Sequence, residues 1–193
     1  DWHDLSAEEK EQVIAIILPE IWVPTLIHEM GHNLGLRHNF QGSEDKANFY
    51  STDELAQNGI EHKVVSSSVM EYIEDLKALP ILGKYDIAAL KFGYLREVEV
   101  KKADGTTEMV KIPNTLEKLS ADLKANSLEL KDYGFCTDEH TGINAGCKRF
   151  DLGTSYTEIT QNLIKGYEDA YEHRNLRDGR ANMSLFDDLK FTY

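Results

Sequence analysis

Basic residues are scarce in this chain. Lysine and arginine together number 21 against 34 aspartates and glutamates, which leaves a net charge of −13. No basic cluster interrupts that field, which argues against a phosphate-tracking nucleic-acid binder, and anionic membrane surfaces would be repelled. No apolar run reaches the length of a membrane span, and no basic, apolar signal sequence follows Asp1. Internal repeats and low-complexity tracts are missing too. What remains is 193 residues, 41% hydrophobic and 28% charged, with no convincing linker, which read as a single domain over residues 1–193.

Within this ordinary composition one stretch carries chemistry. His28-Glu29-Met30-Gly31-His32-Asn33-Leu34-Gly35-Leu36-Arg37-His38 places three imidazoles and a carboxylate at a spacing that a metal can use. On a helix His28 and His32 stand one turn apart and project from one face, so their ring nitrogens can converge on a single ion. Glu29 sits beside that face. Zinc takes nitrogen ligands at ~2.0–2.1 Å and a catalytic site keeps one position for water, so a third protein ligand is needed. His38 can supply it if the chain leaves the helix and doubles back. Gly35 is the residue that can take the left-handed conformation such a turn requires. Ile27, Met30, Leu34 and Leu36 alternate with these residues and predict the buried side.

The pattern His28-Glu29-x-x-His32-x-x-Gly35-x-x-His38 resembles the zinc signature of the metzincin metallopeptidases. Ser67-Ser68-Val69-Met70-Glu71-Tyr72 has the form of their methionine turn. Leu-Gly-Leu-Arg-His-Asn-Phe at 34–40, Lys-Tyr-Asp-Ile-Ala-Ala-Leu-Lys-Phe-Gly-Tyr at 84–94 and Cys-Lys-Arg-Phe-Asp-Leu-Gly at 147–153 narrow the resemblance to the large bacterial zinc-dependent metalloproteases with a Met-zincin domain. The resemblance implies one Zn2+ per chain, a peptide or protein substrate, and an exported bacterial protein, periplasmic or secreted. It further implies Met70 as an apolar floor beneath the metal, and Tyr72 as a group that ligates zinc or hydrogen-bonds an oxyanion. Metzincins place a sheet-containing subdomain before the zinc helix, whereas about two dozen residues precede it here. The chain is therefore expected to be a fragment of a longer protein, resembling the lower part of a metzincin and packing against a missing N-terminal subdomain.

The remaining pattern predicts a mainly helical α+β domain. Ser6-x-x-Glu9 has the form of a capping box before a helix over 6–18, with Val13, Ile14, Ile17 and Leu18 as its apolar stripe. Pro19 and Pro24 then punctuate, and the zinc helix is expected from 24 to 35. Residues 41–66 read as a polar loop with a short helix near 52–57, and His62 within it reads as a surface histidine. Helices are predicted over 84–93, 115–131 and 156–174, and a β-hairpin over 95–102 and 106–112 around Asp104-Gly105. The end of the chain, 186–193, reads as a helix cut short, and Arg174, Arg177 and Arg180 as surface ion-pairing residues. Cys136 and Cys147 bracket a Gly- and Asn-rich loop. They suit a local disulfide, two free thiols, or, with His140 between them, a second metal site.

Three functions compete on these residues. A zinc endopeptidase uses Glu29 as general base, since a carboxylate beside the ligands serves no purpose in a closed structural site. A zinc hydrolase of another amide or ester uses the same groups. A non-catalytic binding module would close its zinc with a fourth protein ligand.

Overall fold

Where two prolines predicted a break, residues 7 to 33 form one continuous helix, α1 (Ala7–Asn33). The computed structural model describes residues 4–73 and 78–175. α1 opens on a full capping box: Glu9 N donates to Ser6 Oγ (3.3 Å) and Ser6 N to Glu9 Oε2 (2.8 Å). Pro19 and Pro24 withhold two N–H donors, but the carbonyls left over, those of Ala15 and Glu20, belong to exposed residues that water can reach. The expected helices 6–18 and 24–35 are thus one element.

Two further expectations about α1 are corrected. An 18-residue window of it has a mean hydropathy of 1.5, so by length and composition the helix could cross a membrane. Pro19, Glu20 and Pro24 interrupt the apolar run without making it polar, and a search for uninterrupted runs overlooks it. Met30 and Leu34, expected on the buried side, are exposed, as are Ile14, Ile17 and Leu18. Gly31 is the buried residue of the helix, and Leu36 is buried just beyond its end.

The sheet is larger than a hairpin. β1 (Glu97–Lys101) and β2 (Thr107–Lys111) pair antiparallel with Glu97 opposite Lys111 and Lys101 opposite Thr107. Lys102 N donates to Thr106 O across a short connection (2.8 Å), with Gly105 at φ 82°. On the other edge, β3 (Glu129–Leu130) pairs with Val100 and Lys101 of β1. Sequence periodicity assigned those residues to a helix over 115–131. α4 (Leu116–Ala125) stops short of them because Asn126 and Ser127, the latter at φ 52°, turn the chain toward β1. Lys131 N then bonds Glu99 O (2.9 Å) and Tyr133 OH bonds Glu99 Oε2 (2.5 Å), so strand pairing prevails over helical periodicity.

Two short helices complete the frame, α2 (Thr52–Gln57) and α3 (Lys84–Leu90), the latter continuing into a π-turn at Lys91–Leu95. One buried cluster joins Leu36, Leu55, Ile60, Val64, Val69, Met70 and Leu79. A second joins Phe40 to Cys136 and Cys147, with Tyr72 packed against it. Helices with a small three-stranded antiparallel sheet make an α+β fold. The chain divides into two compact units, Asp1–Asp151 and Leu152–Tyr193. Within the second, α5 (Tyr156–Asn175) begins where Ser155 Oγ accepts Glu158 N (3.2 Å). Residues 186–193, Arg177, Arg180 and the side chain of Arg174 lie outside the described residues.

Candidate metal centre

α1 ends in a Schellman motif, and this turn brings the third histidine back. Leu36 N donates to Gly31 O (3.0 Å) and Gly35 N to His32 O (3.0 Å), with Gly35 at φ 89°. His28, His32 and His38 thereby converge: one ring nitrogen from each lies within 4.8 Å of the others, so the three could hold a metal ion. His32 Nε2 and His38 Nε2 are 3.2 Å apart. Two ligands of one tetrahedral zinc at ~2.0–2.1 Å stand ~3.3–3.4 Å from each other, so the spacing fits.

Each ring is oriented through its other nitrogen. His28 Nδ1 donates to Val69 O (2.8 Å), His32 Nδ1 to Leu36 O (3.1 Å) and His38 Nδ1 to Asp138 Oδ2 (2.7 Å). With each Nδ1 so engaged, Nε2 is the nitrogen each ring can offer a cation, and a cation on His38 would displace the Tyr72 hydroxyl from it. Burial holds His28 below the usual histidine range, with the neighbouring imidazoles adding to the effect, so the neutral, ligand-competent form is favoured. Tyr72 OH donates to His38 Nε2 (2.8 Å). Burial, and then the charge of Asp138, push its phenol up, which keeps it a proton donor at neutral pH.

Met70 is fully buried, and a Cβ on Gly31 would lie 2.5 Å from its Sδ. The turn carrying Met70 is braced by Asp86 of α3, which is fully buried and accepts Ser68 Oγ (2.6 Å), Val69 N (2.8 Å) and Gly83 N (2.7 Å). A cleft of about 800 Å³ opens over the three histidines, and Glu29 and Tyr72 line it with them. Ile17 and Ile21 of α1 and, elsewhere in the lining, Leu79 give it apolar surface, with Glu20 also lining it.

A family model described as Met-zincin matches residues 24–189. The chain belongs to the Met-zincin family. No curated protein and no solved structure shows a significant match to it. Membership suggests a zinc metallopeptidase, and in this Met-zincin the donor set suits zinc, being three imidazoles around an open cleft.

Not every candidate residue is at this centre. His62 is half-buried and lines a separate hollow with Pro19, Val23 and Gly59. Cys136 and Cys147 form a disulfide, and His140 accepts Thr137 N on its Nδ1 (3.2 Å), so the second metal site on these residues is ruled out. Other residues of the Met-zincin site carry no local signal in the sequence. Asp138, Arg149, Asp86 and Phe150, which stacks on Tyr72 with ring centroids 5.3 Å apart, reach it only through the fold.

Proposed function

We propose that the chain is a zinc-dependent metalloendopeptidase domain, with His28, His32 and His38 holding one Zn2+ per chain and Glu29 as general base. The observation that carries this reading is the convergence of one ring nitrogen from each of the three histidines, each ring turned by a bond on its Nδ1, beside an open cleft that Glu29 also lines. When bound, zinc lowers the pKa of a water to about 7 and polarises a carbonyl oxygen. Glu29 accepts the proton of the attacking water and returns it to the departing amine. Tyr72, protonated and aimed at the site, donates a hydrogen bond to the oxyanion that develops on the scissile carbonyl. Met70 is the apolar floor and Gly35 the turn that returns His38. Ile17, Ile21 and Leu79 in the lining give the cleft apolar surface for a substrate side chain beside the scissile bond.

The Cys136–Cys147 bridge supports an exported protein, because disulfides persist in oxidising compartments. A cleaved signal sequence is a poor account of α1, since its last two turns carry His28 and His32. We assign its exposed apolar side chains, Ile16, Trp22 and Leu26 among them, to packing against an N-terminal subdomain.

Elemental mass spectrometry together with a fluorogenic peptide library tests the whole reading. One zinc per chain is expected, with cleavage beside apolar residues. Glu29→Ala should keep the zinc and lose roughly 10²- to 10⁴-fold in rate, the usual contribution of a general base. Undiminished cleavage by Glu29→Ala removes the base assignment, and zinc-free protein after reconstitution removes the centre.

A further inference from the structure

We propose that Asp138 positions the third zinc ligand, and that the Cys136–Cys147 bridge holds Asp138 in place. This rests on the zinc reading above. His28 and His32 sit on α1 and bond nearby carbonyls, whereas His38 stands beyond the helix end, and its Nδ1 finds a carboxylate 100 residues away in sequence. A carboxylate is the stronger acceptor of an imidazole N–H, and it raises the basicity of the nitrogen opposite. The histidine least constrained by helix geometry therefore has the strongest orienting partner.

The loop reaches His38 through an ordered register. Phe40 N donates to Cys136 O (2.8 Å), Cys136 N to Asn39 Oδ1 (3.1 Å) and Asn39 Nδ2 to Gly134 O (2.9 Å), so the strand leaving His38 runs beside the strand entering the loop. Asp138 lies two residues past Cys136, and Arg149 two residues past Cys147. Arg149 binds the second carboxylate oxygen, Oδ1, at 2.5 Å, while its guanidinium covers Phe40, 5.2 Å from the ring centroid. The buried bridge thus joins the two chain segments that carry the carboxylate and its counter-ion. The next residue provides an internal contrast. Glu139 pairs with Arg37 at 2.6 Å on the surface instead.

Zinc affinity, measured on the apo chain by competition with a chelating dye, decides the matter. Asp138→Ala is expected to weaken zinc binding 10- to 100-fold, the usual effect of removing a ligand's hydrogen-bond partner. Asp138→Asn, which keeps an acceptor for Nδ1–H, should lose less, and Glu139→Ala should bind as the wild type does. In ¹H–¹⁵N spectra of the metal-free chain, neutral His38 should be Nδ1-protonated in the wild type and a tautomer mixture in Asp138→Ala. Cys136→Ala/Cys147→Ala should lower zinc affinity, and adding Asp138→Ala to it should cost little more. If that cysteine variant does not fold, the Asp138 variants and the spectra decide alone. Wild-type zinc affinity and an unchanged His38 tautomer in Asp138→Ala overturn the proposal and leave the zinc centre standing. A wild-type chain that binds no zinc overturns both.

Discussion

Gly31 and Asp86 show how closely the floor of the site is fitted. A methyl group on Gly31 meets the sulfur of Met70 at 2.5 Å, inside contact distance, and Met70 has no exposed surface through which to retreat. Gly31→Ala should therefore destabilise the chain by ~1–3 kcal/mol, the usual penalty for overpacking, despite the better helix propensity of alanine. Urea denaturation measures it. Asp86 receives three hydrogen bonds from the segment around Met70 and from Gly83. Asp86→Ala leaves three buried donors without partners, each costing roughly 1–3 kcal/mol. The loss should appear in the same denaturation curves, and Asp86→Asn, which keeps an acceptor, should recover part of it.

At the scale of elements, the methionine turn is also held from its outer side. Glu71 accepts Ser43 N (3.1 Å) and Tyr72 N (2.9 Å), yet burial pushes its carboxyl up to about 8. Asp151 is pushed up to about 6, first by burial and then by the charge of Glu44. An acid whose pKa is raised on folding binds its proton more tightly in the native state, so its contribution to stability falls as pH rises from the unfolded value to the folded one. For Glu71 that window runs from 4.5 to about 8. His28, held low, contributes in the opposite sense up to 6.5. Above that value the Glu71 effect stands clear of the histidine, and stability should fall by up to about 1.4 kcal/mol per pH unit between pH ~6.5 and ~8. Unfolding free energies across that range check the slope, and Glu71→Gln should flatten it.

For the whole molecule, one covalent link closes the loop 136–147 on itself. A bridge with a sequence separation of 11 is worth about 3 kcal/mol in the chain-entropy model. Cys136→Ala/Cys147→Ala should lower the thermal midpoint accordingly, as calorimetry would show. The exposed apolar side of α1 poses a problem on the same scale. Ile16, Trp22 and Leu26 are each more than half exposed on the helix that also carries His28 and His32. A fusion that places an N-terminal subdomain ahead of residue 1 should protect the amides of α1 in hydrogen exchange if they pack against it. Addition of phospholipid vesicles should protect them instead if the helix enters a bilayer.

Covalent spacing alone placed the three histidines that could hold a metal. His28 and His32 share a helix face because of the 3.6-residue turn, Gly35 can turn the chain because it lacks a Cβ, and Asp104-Gly105 marks its hairpin for the same kind of reason. These are local constraints, and sequence carries them directly. Three features depended on contacts with distant parts of the chain. α1 runs through Pro19 and Pro24 because the freed carbonyls face solvent, and residues 129–130 leave their helical pattern because β1 offers an unpaired edge. Asp138 meets His38 only after Asn39 and Phe40 have drawn the disulfide loop alongside. A hydrogen bond between residues 100 apart has no periodicity to betray it, so only the tertiary structure could decide which carboxylate stands behind the third histidine.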